Sequence, residues 1–237
     1  IYKTLGYMDI QRMLEPRLIY GSYPDILNQS ADTQMLLRNL TDSYLYKDIL
    51  ATENIRKPDL LDKLLRALAY QVGSEVSYNE LAQTVGSDSK TVEKYIELLE
   101  KCFIIFRLNG LSRNLRNELK KAKKIYFYDN GIRNAVIQQF APLEMRNDVG
   151  ALWENFFISE RIKRNHYQQY YCNMYFWRTQ SQQEIDYIEE RDGMMTVFEM
   201  KWNPKKANTT IPEAFLKAYP IKETTIITPE NYLDWLL

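Results

Sequence analysis

Glu184-Ile-Asp-Tyr-Ile-Glu-Glu190 and Met195-Thr-Val-Phe-Glu-Met-Lys-Trp202 read as two neighbouring β-strands, each with charged residues inside it. Asp186 lies within the first strand, and thirteen residues further on Glu199 and Lys201 lie within the second. Successive strand side chains alternate faces, so Glu199 and Lys201 point the same way. Asp186 can then stand opposite them on the adjoining strand. Burying a carboxylate or an ammonium without a partner is costly, so this placement needs a cause. Two causes fit. In one, the carboxylates hold a hard divalent cation, Mg²⁺ or Mn²⁺, through oxygen ligands. The metal then activates water and neutralises charge building on a phosphate, while Lys201 orients the water or stabilises an oxyanion. In the other, Lys201 pairs with Glu199 or Asp186 as a structural ion pair.

Working outward, Val149 to Arg164 is an amphipathic helix that carries Glu154, with Asn155 and Ser159 toward the same general side. Tyr170 to Thr179 is an aromatic-rich strand, Pro212 starts a helix, and Thr224 to Thr228 is a last strand. The order is α-β-β-β-α-β. Upstream, Ile125-Tyr-Phe-Tyr-Asp129 reads as a buried strand and Asn130-Gly131 as a turn, with Asp129 and Arg133 available for a structural ion pair or cap. Between Lys101 and Lys124 lie eight cations: Lys101, Arg107, Arg113, Arg116, Lys120, Lys121, Lys123 and Lys124. Glu118 alone opposes them. Such a stretch suits a nucleic-acid backbone, with salt-sensitive binding, or a solvated hairpin.

Residues 58–110 read as a compact helical unit. Leu60, Leu61, Leu64, Leu65 and Leu68 form one helical stripe. Ser77-Tyr-Asn-Glu80 is a capping box opening a short helix that Gly86 ends. Ser87 to Lys101 is a third helix with Val92, Tyr95, Ile96 and Leu99 inward, and Cys102 to Leu108 is β-like. That order is a winged helix-turn-helix. Lys90 and Lys94 would face DNA from the third helix, whereas Glu93, Glu97 and Glu100 on the same helix would repel it. Residues 1–57 read as short helices, with a turn at Tyr20-Gly-Ser-Tyr-Pro24 and helical spacing from Thr33 to Leu50.

The whole chain has 237 residues, 45% apolar and 26% charged, which excludes disorder as a class. Lys plus Arg and Asp plus Glu both number 31, which excludes a uniformly basic nucleic-acid protein but not a local basic patch. Two cysteines exclude a disulfide framework, and the single histidine, His166, excludes a multi-histidine metal centre within the chain. His166 reads as a surface residue and Cys102 as a core one. No apolar run approaches the roughly 20 residues that a spanning helix needs, so no membrane partner is expected. The chain opens at Ile1 and reads as a trimmed or processed piece of a longer protein.

The pattern Glu154, then Glu184-Ile-Asp186, then Glu199-Met-Lys201, on an α-β-β-β-α-β order, resembles the PD-(D/E)XK nuclease superfamily. A longer resemblance surrounds it. Tyr20-Gly-Ser-Tyr-Pro24, Tyr46-Lys-Asp48, Tyr78-Asn-Glu-Leu-Ala82, Thr91-Val-Glu-Lys-Tyr95, Tyr126-Phe-Tyr-Asp-Asn-Gly-Ile-Arg-Asn134 and Trp153-Glu-Asn155 precede those motifs in order. Together they resemble the C-terminal half of bacterial and archaeal AAA-type ATPases that end in a domain of unknown function. The resemblance implies an α/β fold, α+β overall. Residues 1–57 would be the end of an ATPase module or its lid, 58–130 a winged helix-turn-helix, and 131–237 a restriction-endonuclease-like domain. It implies a cytoplasmic protein with DNA as partner, and self-assembly of the ATPase or a protein partner besides. ATP would belong to a preceding core, because nothing here matches Gly-x-x-x-x-Gly-Lys-Ser/Thr. Asp186 and Glu199 would ligate Mg²⁺ or Mn²⁺, with Glu154 and Lys201 completing a catalytic set. Lys90, Lys94, Arg113, Arg116, Lys120, Lys121, Lys123 and Lys124 would contact nucleic acid. A catalytically silent module that binds nucleic acid or protein and regulates the ATPase is the other reading.

Overall fold

A computed structural model describes residues 7–27, 32–42, 57–112, 123–179, 181–206 and 210–237. The fold is α+β, with a mixed seven-stranded sheet. The chain divides into two compact units. The first comprises the described residues of Ile1–Arg107 and Ile125–Asp148, and the second those of Leu108–Lys124 and Val149–Leu237.

In the first unit, helices α1 (Tyr7–Arg12), α2 (Leu14–Tyr20), α3 (Pro24–Leu27) and α4 (Thr33–Leu40) come first. Then follow α5 (Pro58–Tyr70), the short strand β1 (Glu75–Val76), α6 (Tyr78–Val85) and α7 (Ser89–Lys101). Strands β2 (Ile105–Gly110) and β3 (Lys123–Phe127) come next. The local causes are visible. The leucine stripe of α5 is buried, Pro58 occupies its first turn, and Ser77 Oγ accepts from the Glu80 amide at 3.4 Å to cap α6. Asp88 caps α7, which therefore starts two residues later than the sequence suggested, by accepting from the Thr91 amide at 2.9 Å.

Asn130-Gly131 is not a turn. It opens helix α8 (Asn130–Val136), because Asp129 Oδ1 accepts from the Ile132 amide at 3.2 Å and caps it. Asp129 Oδ2 also accepts from the Ser22 amide at 2.7 Å. This joins two motifs more than a hundred residues apart. Gly21 has φ +80°, and a Cβ there would lie 1.9 Å from Asp129 Oδ1. A Cβ on Gly131 would lie 2.1 Å from the Tyr20 carbonyl oxygen. Asn134 Nδ2 donates to the carbonyls of Leu18 and Ile19, and Arg133 Nε to that of Ala69. Arg133 pairs with Asp148 at 2.6 Å rather than with Asp129. These bonds tie residues 129–136 to the helices of the first unit.

The second unit is built on helix α9 (Val149–Tyr167) and strands β4 (Asn173–Arg178), β5 (Glu184–Arg191), β6 (Met194–Met200) and β7 (Ile221–Ile227). Short helices α10 (Glu213–Leu216) and α11 (Leu233–Leu236) complete it. Strands β4, β5 and β6 are antiparallel neighbours, while β6 runs parallel to β7 and β2 parallel to β4. Both faces of the sheet are covered. Val197 belongs to a cluster with Trp177, Ile185 and Phe215, whereas its neighbour Phe198 meets Phe157 of α9 and Trp235 of α11. On the α9 side, Glu189 and Arg161 form a buried two-pronged ion pair at 2.8 and 2.9 Å, joined by Asn165 and the Tyr187 hydroxyl.

Candidate functional site

Asp186, Glu199 and Lys201 come together where strand β5 begins and strand β6 ends. Tyr175 pairs with Ile188, but Trp177 pairs with Ile185, so one residue of β4, Phe176, faces two of β5, Asp186 and Tyr187. The extra residue falls between Ile185 and Ile188, where Asp186 sits. Bulges of this kind re-aim side chains and recur beside active sites. Asp186 Oδ2 accepts from the Met200 amide at 2.9 Å, which holds it across from the end of β6. Lys201 lies one residue beyond β6, not inside it, although its amide still bonds the Ile227 carbonyl of β7 at 2.8 Å. Its Nζ stands 3.1 Å from Glu199 Oε2 and 3.9 Å from Asp186 Oδ2.

Glu199 is 4% exposed, and its second oxygen, Oε1, is buried with no hydrogen-bond partner among the described residues. Burial pushes its carboxyl up to about 7, with the charge of Asp186 acting in the same direction and Lys201 opposing both. Burial works against the Lys201 ammonium as well, but Asp186 and Glu199 outweigh it and raise its pKa. The lysine therefore stays charged, while Glu199 shares its proton near neutral pH.

Glu154 lies on the second turn of α9, a different element from those that carry the trio. It pairs with Lys124 of β3 at 3.3 Å, and Lys124 in turn pairs with Glu184 at 2.6 Å. The charge of Glu154 is nevertheless felt at Lys201. Lys124 is 3% exposed and lies over the Phe176 ring. The sequence placed it among surface cations for nucleic acid. The structure corrects this, because its ammonium is enclosed between two carboxylates and presents nothing to a phosphate. Arg107 is likewise engaged, by Glu100 and the Tyr78 hydroxyl. Lys90 and Lys94 are exposed on α7, and Lys123 is half-buried at the start of β3. Arg113, Arg116, Lys120 and Lys121 lie outside the described residues, as does Tyr46-Lys-Asp48.

Among the described residues, no group of three or more His, Cys, Asp or Glu side chains is arranged to hold a metal ion by itself. Nor, among them, is any helix long and apolar enough to cross a membrane. The Arg161–Glu189 pair and the inward role of Lys124 were missed in the sequence. The signal was present: Glu189 sits inside a strand two residues after Tyr187, and Lys124 directly precedes an apolar strand core.

Residues 11–143, more than half of the chain, match the family described as domain of unknown function DUF8612. The chain belongs to the DUF8612 family. Its remaining part, residues 149–235, matches a second domain of unknown function, DUF4143, which is often found C-terminal to AAA ATPase domains. The DUF8612 chain is also similar to an uncharacterized protein of Mycobacterium tuberculosis, 27% identical over 139 residues, covering 56% of this chain and 30% of that protein. An uncharacterized protein of Haemophilus influenzae is 25% identical over 124 residues, covering 50% of this chain and 31% of its own length. One of Methanocaldococcus jannaschii is 24% identical over 139 residues, covering 57% and 28%. The DUF8612 chain thus aligns with about a third of the length of these curated relatives. No solved structure matches it.

Proposed function

We propose that this chain is the C-terminal, DNA-interacting part of an AAA-type ATPase, and that its second unit is a divalent-cation-dependent phosphodiesterase. The observation that carries the reading is Glu199: a carboxylate 4% exposed, beside Asp186, with one oxygen buried and unpartnered among the described residues. A buried acceptor left unsatisfied is destabilising unless a hydrogen-bond donor or a cation completes it. The charges around it fit a divalent cation. Glu154 and Glu184 pair with Lys124, Asp186 and Glu199 with Lys201, and Arg178 Nε lies 3.9 Å from Glu184. Asp186 and Glu199 would hold Mg²⁺ or Mn²⁺, with waters filling the remaining positions as hard cations prefer. Bound there, the metal would supply a more acidic water and charge neutralisation at a phosphate.

The remaining work falls to the chain. Lys201, half-exposed and held charged by two carboxylates, orients the attacking water and steadies the developing oxyanion. Glu154 would support the metal's water shell from α9. Lys90 and Lys94, on the outer side of α7, hold the phosphate backbone.

One observation favours the second reading, a catalytically silent module: the Lys201 ammonium itself already bridges Glu199 and Asp186. A cleavage assay separates the two. Labelled single-stranded, duplex and branched DNA is incubated with Mg²⁺, Mn²⁺ or EDTA, using the chain and Lys201→Ala. Metal-dependent cutting that the substitution abolishes supports the enzyme. Salt-sensitive binding without cutting supports the silent module.

A further inference from the structure

We infer that the C-terminal end of α9 grips a single strand of nucleic acid, whose bases stack on Tyr167 and Tyr171 and whose phosphates meet Arg164 and Arg191. The inference rests on the nucleic-acid reading above and adds to it the strandedness of the partner and a place that holds it.

Helix α9 ends by a local device. Gln169 takes a left-handed φ of +54°, and the Tyr170 amide returns to the Asn165 carbonyl at 2.8 Å. The chain turns there toward β4, and the turn gathers aromatic side chains within a few residues. Tyr167 is 82% exposed and Tyr171 76%. The His166 ring stands edge-on to Tyr167, and Arg191 Cζ lies 4.6 Å over the Tyr170 ring. One exposed large side chain needs no explanation, but a cluster marks an interaction site. This cluster is not the acidic corner. Tyr167 stands thirteen residues along α9 from Glu154, about 20 Å at the helical rise.

The charges at this end leave one cation over. Arg161 pairs with Glu189, Lys163 with Glu160, and Arg191 with Asp192 at 3.5 Å. Glu190 accepts from the Asn173 side-chain amide at 2.7 Å and from the Gly193 amide at 3.0 Å. Arg164 has no carboxylate partner among the described residues. Its Nη1 donates to the neutral Asn165 Oδ1 at 3.2 Å, and its Nε is buried without a partner among those residues. Burial and the neighbouring Arg161 charge both disfavour its charged form. A last-turn cation complements the helix dipole, which accounts for the charge of Arg164 but not for the exposed tyrosines. An anion that also carries flat π surfaces accounts for both. A single strand supplies phosphates together with bases free to stack on aromatic rings. An acidic peptide would supply the charge alone.

Fluorescence anisotropy of a labelled oligo-dT strand of about twelve nucleotides, with the full chain in EDTA, tests this without involving the metal site. Tyr167→Ala and Tyr171→Ala should each weaken binding by at least about fivefold, the low end for one lost base stack. Tyr167→Phe keeps the ring and should bind within about twofold of wild type. Arg164→Gln should lower the logarithmic salt slope by about 0.7, the value of one phosphate contact on a single strand. Far-UV circular dichroism checks that the variants fold. Two comparisons use wild type and hold whatever the variants do. An abasic strand of the same length that binds as tightly as oligo-dT, or polyglutamate that competes as well, means charge without stacking and overturns the inference. Oligo-dT binding that both alanine variants leave unchanged also overturns it, and leaves the nucleic-acid reading standing with the strand held elsewhere. Binding of duplex but not of oligo-dT does the same. No binding of any DNA by wild type overturns both.

Discussion

Replacing Glu189 with Gln should destabilise the second unit by about 3–4 kcal/mol, the range expected when one partner of a buried ion pair is removed. Glu189 is 1% exposed, and its two oxygens receive two guanidinium bonds from Arg161, at 2.9 and 2.8 Å, and one from Asn165 at 2.6 Å. The Tyr187 hydroxyl adds a fourth at 3.2 Å. Gln keeps the shape but withdraws the charge, and its amide hydrogens point at a guanidinium that has none to accept them. Arg161 is also buried, so water does not compensate. The assay is direct, because all four tryptophans, Trp153, Trp177, Trp202 and Trp235, lie in the second unit. Urea titration followed by tryptophan fluorescence therefore reports that unit. With a slope of about 2 kcal/mol/M, the midpoint should fall by about 1.5–2 M. The double replacement Arg161→Met with Glu189→Leu should recover most of the loss, since no buried charge is left alone. A midpoint within about 0.5 M of wild type for Glu189→Gln would refute this account of the α9–sheet contact.

Three further outcomes follow from the first unit. Gly21→Ala should destabilise it by about 3 kcal/mol, from the left-handed backbone and displacement of the Asp129 carboxylate that caps α8, read as lost amide hydrogen-exchange protection in residues 130–136. Asp148 is buried enough to raise its pKa, but Arg146 and Arg133 outweigh burial and hold it down at about 2. A depressed carboxyl stabilises above its unfolded value of 3.8 and loses that contribution as pH falls toward 2, so protection of the first unit should drop by about 1 kcal/mol across that window after allowance for solvent screening. Asp148→Asn should abolish the drop. On the exposed side of α7, Lys90→Glu with Lys94→Glu should weaken DNA binding and lower its logarithmic salt slope by about two, measured by fluorescence anisotropy at several salt concentrations.

Much of this architecture was legible because its signals are local. The leucine stripe of α5, the Ser77 cap and the alternation in β5 and β6 each state their periodicity within a few residues. Asn130-Gly131 misled because its helical state is decided by Asp129, and the orientation of Asp129 is decided by Ser22 far away in sequence. The trio was found because charge inside a strand is conspicuous, and Lys201 does pair with Glu199 and Asp186 as its spacing suggested. Lys124 was misread because it belongs to a run of cations, where composition outweighed its place at the head of a buried strand. The bulge in β5 is a property of strand pairing and has no signature in one strand's sequence.

The central claim is that Glu199 and Asp186 form a cation site, and calorimetric titration of the wild-type chain with Mn²⁺ tests it most directly, alongside Glu199→Gln and Asp186→Asn, at pH 6 and pH 8. Glu199, raised to about 7 by burial and the charge of Asp186, must lose its proton to bind. Wild-type affinity should therefore rise by about tenfold over that interval, and either substitution should remove binding at both pH values. Absence of binding by wild type at pH 8, or binding that survives both substitutions, would contradict the account.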